Sequence, residues 1–164
     1  MNIELLKEYL DYDGETGIFR WKKSTAFHIS EGKIAGCWSK YKTGEVRLKI
    51  KVLGKMYNAN RIAYAFTHGP IPPGMVVDHA DRDTMNNKIS NLRLATKSEN
   101  AFNRVKQKNN TSGFKGVSRN RDRWRAIISE NGNFHHIGTF DTPELAHQAY
   151  AKAQVKYHGS FSKV

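Results

Sequence analysis

The stretch from Met75 to Arg104, MVVDHADRDTMNNKISNLRLATKSENAFNR, limits what this chain can fold into more than any other. An apolar run, Met75-Val76-Val77, ends in the pair Asp78-His79, and a polar excursion carrying Asn86, Asn87 and Asn91 follows. Leu92-Arg93-Leu94 reads as a short return strand. Thr96-x-x-Glu99 fits a capping box, which predicts a helix beginning near Lys97. Strand, polar loop, strand and helix make a compact unit whose polar residues are of the types that handle a metal ion and a water.

Successive side chains of a strand leave on opposite sides, so Asp78 and His79 diverge. Asn100 falls in the first turns of the predicted helix, with Asn103 and Arg104 on the same face. A helix packed across the hairpin would let Asn100 and Asp78 reach one hard cation through oxygen. Mg²⁺ accepts such a set, with water and phosphate filling its remaining positions. His79 would stay off the metal as general base, since an unperturbed imidazole titrates at about 6.5. The metal would offset charge on the phosphate and on the leaving 3′ oxygen. Taken singly these residues fit a turn equally well, because Asn tolerates left-handed backbone. Their joint spacing is what points to a nuclease.

That spacing carries a resemblance. Asp78-His79, Asn91 twelve residues after the histidine and Asn100 nine further on resemble the HNH (ββα-metal) nuclease motif, in the Asn-ending form of phage and intron-encoded homing endonucleases. DHADRDTMNNKISNLR is similar to that family's DHxDGxxxNNxxxNLR, and ATKSENAFNR to its following helix. The resemblance implies His79 as general base, Asp78 and Asn100 as ligands of one Mg²⁺ or Mn²⁺, and Asn91 as the catalytic-motif Asn that ties the loop by hydrogen bonds to backbone.

Upstream, residues 2–11 read as a short helix with Asn2 as cap. Ile18 to Trp21 and Lys33 to Cys37 read as strands. From Glu45 to Val52 the chain alternates, Val46, Leu48, Ile50 and Val52 against Arg47, Lys49 and Lys51, which predicts a small antiparallel sheet with a basic outer face. Asn60 to Phe66 should be helical, burying Ile62, Ala63 and Phe66. In relatives of this subgroup the place of Asn60 is held by His. Asn here serves if the position is structural and lowers activity if it binds phosphate or metal. Cys37 is the one cysteine, which excludes an internal disulfide framework and thiolate zinc clusters and is expected to be a buried or half-buried small hydrophobe.

Gln107 to Ser112 reads as a linker to a second module. Phe114 to Arg119 and Arg123 to Glu130 are predicted strands, with Trp124, Ala126 and Ile128 on one face of the second. Asn131-Gly132 is a type I′ hairpin signal, and Phe134 to Phe140 a third strand. Thr142-Pro143 opens a helix whose inner face would be Leu145, Ala146, Ala149, Ala153 and Tyr157. One helix covers one sheet face, leaving Arg123 and Arg125 on the other. SGFKGVSRNRDRWRAIISENGNFHHIGTFDTPELAHQAYAKAQVKYHG resembles the ethylene-response-factor (APETALA) type DNA-binding domain, carried by GVSR, the Trp of the second strand, IGTFDTPE and AHQAYAKA. The resemblance implies a sheet laid in the DNA major groove, with Arg119, Arg121, Arg123, Arg125 and His136 toward the groove. Ser118, Asn120 and His136 depart from the plant pattern, so its base preference does not carry over.

Composition agrees with a polyanionic partner. Lys and Arg number 27 against 15 Asp and Glu, a net +12. No apolar run approaches the ~18–20 residues of a membrane span, and the start lacks the basic and apolar regions of a signal peptide.

The expected fold class is α+β: a small N-terminal antiparallel sheet (1–56), a ββα-metal nuclease unit (57–105), a linker (106–112), and a three-stranded antiparallel sheet packed on one helix (113–164). The expected function is a site-specific, metal-dependent DNA endonuclease of the HNH homing type that nicks one strand of duplex DNA. Arg104 is expected to join the C-terminal residues in contacting DNA. The protein is expected to act as a monomer in the cytoplasm of a phage-infected or bacterial cell, without membrane contact and not secreted. The alternative is a catalytically decayed HNH protein acting as a sequence-specific regulator.

Overall fold

The computed structural model describes residues 1–24, 29–103, 110–130 and 132–161. Arg104, most of the expected linker and Asn131 lie outside the described residues. The chain separates into two compact units, 1–95 and 96–164.

In the first unit, α1 (Ile3–Tyr9) starts where the Asn2 side chain accepts a hydrogen bond from the Leu5 amide at 3.1 Å. The helix is shorter than the 2–11 expected, because Leu10 already pairs as strand. β1 (Leu10–Asp13) and β2 (Ile18–Trp21) form an antiparallel hairpin. Asp13 closes its loop by accepting from the Glu15 amide and the Thr16 hydroxyl.

The expected strand at 33–37 lies further on. β3 is Cys37–Lys40, and Ile34 makes only an isolated bridge to Arg20. Gly36, at φ 109, breaks the run. Cys37 is exposed, against the buried position expected for it, since it starts an edge strand on the sheet's outer side. β4 (Val46–Val52) and β5 (Lys55–Asn58) complete this sheet in the order β3-β4-β5. The β4–β5 turn is Leu53-Gly54, both at positive φ, as a two-residue hairpin of right-handed twist demands.

α2 (Ala59–His68) then packs Ile62 and Ala63, both fully buried, into a core with Leu6, Leu10, Phe19, Ile50 and Val52. Phe66 is half-buried against the same core. β6 (Val76–His79) and β7 (Leu92–Ala95) pair antiparallel, and Val77 and Leu92 join that core. The β6–β7 hairpin therefore rests on the same apolar floor as the N-terminal elements.

The second unit opens with α3 (Lys97–Phe102). Its capping box forms as predicted: Thr96 Oγ1 accepts from the Glu99 amide at 3.2 Å, and Glu99 accepts from the Thr96 amide at 2.7 Å. Compactness thus divides the chain inside the 57–105 stretch. The reason is visible within the second unit, where the Phe102 ring stacks on His158 at 3.8 Å and the Phe102 carbonyl accepts from Lys115 Nζ.

β8 (Val117–Asn120), β9 (Arg123–Glu130) and β10 (Asn133–Phe140) form an antiparallel sheet in that order, with α4 (Pro143–His158) on one face. β8 begins three residues later than expected, because Gly113 and Gly116 take positive φ and turn the chain. Val117, Ala126, Ile128, Ala146 and Tyr150 are the core. The inner face of α4 is wider than the one expected: Ala146, Ala153 and Tyr157 pack on the core as expected, Leu145 is exposed, and Tyr150, Gln154 and His158 are buried as well. Successive fourth residues lie on one helical face, and His158 is kept there by Ser129, whose carbonyl sits 2.9 Å from its Nε2. Among the described residues no helix is long and apolar enough to cross a membrane.

Gly116 is where this unit is least tolerant. Its φ is 73, and a Cβ there would lie 2.0 Å from the Tyr150 ring. Gly116→Ala should cost about 2–4 kcal/mol, from left-handed backbone plus overpacking, measured by urea denaturation.

Candidate active site

The site is built on β6. Asp78 and His79 are each about 6% exposed, which is unusual for two ionisable neighbours. Both are placed by backbone pairing, Asp78 opposite Arg93 and His79 opposite Leu92. Asn60 of α2 anchors the strand, its Nδ2 donating to the Val77 carbonyl at 3.0 Å and its Oδ1 accepting from the Arg61 amide. At the position where the resemblance expects His, this residue is thus a buried structural link.

Asp78 meets Arg93 across the hairpin. Both Nε and one terminal guanidinium nitrogen lie 3.0 Å from Oδ2, which fixes the rotation of the carboxylate. His79 Nε2 lies 3.3 Å from Asn87 Oδ1. Burial pushes the His79 imidazole below its ordinary value, against the opposing pull of Asn87, Asp81 and Asp78. At neutral pH the ring is therefore uncharged and able to accept a proton.

The loop between the strands is closed by Asn91, in a 3₁₀ turn (Ile89–Asn91). Its Oδ1 accepts from the Asp81 amide, and its Nδ2 donates to Asp81 Oδ1 and to the Asn86 carbonyl, each at 2.9 Å. Asn86 Nδ2 donates to the other Asp81 oxygen at 2.7 Å. Burial alone would raise the Asp81 carboxyl, but hydrogen bonds from Asn86, the Asp83 amide and Asn91 outweigh it and hold it below its usual range. Thr84 fastens the loop to the sheet by donating to the Val46 carbonyl at 2.5 Å.

Asp78, His79 and Asn91 are thus gathered in one hairpin. Asn100 lies on α3 in the second unit, half-buried, its amide donating to the Thr96 carbonyl. Arg104 lies outside the described residues. Among the described residues no three His, Cys, Asp or Glu side chains gather as a metal cluster.

In the second unit, register sorts the arginines. Arg123 and Arg125 lie on the sheet face opposite α4, together with Ser118, Asn120 and Thr139. His136, opposite Ile127, is on that face too, with its Nε2 3.4 Å from Thr139 Oγ1. Arg119 is not. It pairs with Trp124, and its guanidinium sits 5.7 Å from that ring, on the side that carries α4. Arg121 is exposed in the β8–β9 turn at φ 56. The residues that sequence reasoning left without a role are Asn87, Arg93 and Tyr12. Their partners come from strand register and from chain 75 residues away, and no local signal marks them.

Arg82 stands at φ 72, at the position where DHxDGxxxNN carries Gly. Arg82→Gly should be more stable than Arg82→Ala by about 1 kcal/mol, measured by urea denaturation, because only glycine takes this backbone without strain.

A family model described as HNH endonuclease matches residues 57–102. Protein 3.8 of Escherichia phage T7 is 37% identical over 98 residues, 58% of this chain and 80% of that protein. HNH endonuclease L560 of Acanthamoeba polyphaga mimivirus is 36% identical over 110 residues, 67% of this chain and 57% of that one. The solved HNH homing endonuclease I-HmuI, described for DNA binding and cleavage, aligns over 96% of this chain and 90% of its own at 20% identity and a TM-score of 0.46. The chain belongs to the family of phage T7 protein 3.8 and carries an HNH endonuclease domain at residues 57–102.

Proposed function

We propose that the protein is a metal-dependent, site-specific DNA endonuclease of the homing type that nicks one strand of a duplex as a monomer in the infected or host cell cytoplasm. The observation that carries this reading is the buried His79, held by Asn87 beside Asp78 on a hairpin whose loop Asn91 closes.

His79 would take a proton from water, and the resulting hydroxide would attack phosphorus as the P–O3′ bond breaks. Asp78 and Asn100 would hold the cation. Asp78 offers a carboxylate fixed by Arg93, and the assignment of Asn100 rests on its spacing from His79. One carboxylate and one amide oxygen suit Mg²⁺ or Mn²⁺, which take one or two protein ligands beside water and phosphate. When bound, that ion supplies neutralisation of charge on the phosphate and the leaving oxygen. Asn91 contributes by keeping the loop closed around the base.

The C-terminal sheet fits the role of a positioning module of ethylene-response-factor type, its Arg123, Arg125 and His136 entering the major groove. Support comes from their shared face opposite α4 and from the charge of residues 106–164, ten Lys and Arg against four Asp and Glu. Arg is suited to phosphate and guanine edges alike. Arg119, on the other face, and Arg121, in the turn, would contact phosphate, and Arg104 would add a further contact.

Supercoiled DNA incubated with Mg²⁺ should be nicked by the wild type, and His79→Ala should lower the rate about 10²–10⁴-fold. Duplex binding without cleavage by the wild type would instead favour the decayed regulator. Arg125→Ala should weaken duplex binding and reduce the slope of log K against log salt by about one if Arg125 meets a phosphate, or leave the slope and relax base preference if it reads a base edge. Filter binding across a salt series distinguishes the two, and no loss of affinity would remove Arg125 from the interface.

A further inference from the structure

We propose that Asn87 is a positioning residue that sets the tautomer and ring orientation of His79, and that the N-terminal hairpin β1–β2 serves the site by clamping Asn87. The inference rests on His79 being the general base, and deepens that reading.

The amide of Asn87 has one orientation that fits its surroundings. Its Nδ2 lies 3.3 Å from the Met85 carbonyl, an acceptor, so Nδ2 must point there and Oδ1 must point toward the ring. An oxygen facing Nε2 at 3.3 Å can only accept. Nε2 therefore carries the hydrogen, and Nδ1 carries the lone pair that receives a proton. The bond survives the step, because the imidazolium formed on Nδ1 still donates from Nε2. Asn87 thus favours the competent tautomer beforehand and holds the ring through the transfer.

Asn87 is itself gripped from the far end of the unit. The Tyr12 hydroxyl donates to the Asn87 carbonyl at 2.7 Å, and the Ile89 amide donates to the Gly14 carbonyl at 3.0 Å. Gly17, at φ 76, lies so close to the Asn87–Lys88 peptide that a Cβ there would be 2.6 Å from the Asn87 carbonyl carbon. Tyr12 in turn stacks on fully buried Phe19 at 4.6 Å. Burial and the neighbouring Asp13 charge push the Tyr12 phenol up to about 12, so it remains a donor throughout the working pH range. The DYDGETGIF segment therefore reaches the base through one asparagine, 75 residues away.

The test uses the full chain labelled with ¹⁵N at histidine. Two-bond proton–nitrogen correlation spectra, recorded where the imidazole is neutral, identify which ring nitrogen of His79 is protonated. The wild type should show the Nε2–H form. Asn87→Asp, which keeps an acceptor, should retain it, and Asn87→Leu should show mixed tautomers. At saturating DNA, Asn87→Leu should lower kcat on the order of 10- to 100-fold, less than loss of the base itself, with KM little changed. Tyr12→Phe should lower kcat by a smaller factor. An Nδ1–H tautomer in the wild type would overturn the proposal without any variant. So would Asn87→Leu with the wild-type tautomer and full kcat, and full kcat in Tyr12→Phe would remove the hairpin from it. Undiminished cleavage by His79→Ala would sink the general-base reading alone, because the spectrum still reports the Asn87–His79 bond.

Discussion

A carboxylate and an imidazole on consecutive residues, both almost wholly withdrawn from water, would cost several kcal/mol unless each met a partner. The geometry of the first unit follows from meeting that demand. Asp78 is answered across the hairpin by Arg93, and His79 within the loop by Asn87. Because side chains alternate along a strand, the two partners must come from different places, one from the facing strand and one from the excursion between strands. A shorter or apolar loop would bring no acceptor to the ring.

What keeps the loop in place is a small polar network over a large apolar floor. The hydrogen bonds of Asn91, Asp81 and Asn86 are each worth only about 1 kcal/mol net, and several are open to solvent. Their value lies in shape, since together they leave the backbone one way to turn, including the left-handed Arg82. Val77 and Leu92, by contrast, enter the core that also holds Phe19, Ile50 and Ile62. That burial fixes the hairpin as a whole, and Asn60 adds a direct bond from α2 to β6. Position is thus set by packing, and orientation by hydrogen bonds.

The second unit separates its tasks by strand parity. One face of β9 gives Trp124, Ala126 and Ile128 to α4, and the other presents Arg123 and Arg125. The irregularity between His136 and Gly138 shifts the register of β10 by one residue, so Thr139 shares a face with His136. Arg119 shows how far register overrides type. As a charged residue it reads as outward-facing, yet its partner Trp124 puts it over an aromatic ring on the helix side.

Local chemistry is legible in the sequence. The Asn2 and Thr142 caps, the Thr96/Glu99 capping box, the alternation of Val46 to Val52 and the strand–loop–strand around Asp78 are all short-range signals, and each forms. Failures came where the deciding contact is remote. Lys33 to Cys37 has strand-like composition, but Gly36 and pairing to β4 move the strand to Cys37–Lys40. The inner face of α4 also takes in Gln154 and His158, polar residues that hydropathy assigns to solvent; His158 is drawn inward by the Ser129 carbonyl of the sheet. The sequence by itself determined the residue types and spacing of the site, because chain connectivity alone brings Asp78, His79 and Asn91 into one hairpin. Tertiary structure alone decided that Arg93 faces Asp78, that Asn87 faces His79 and that Tyr12 grips Asn87. Those choices depend on strand register and on packing between segments 75 residues apart, which no local pattern encodes.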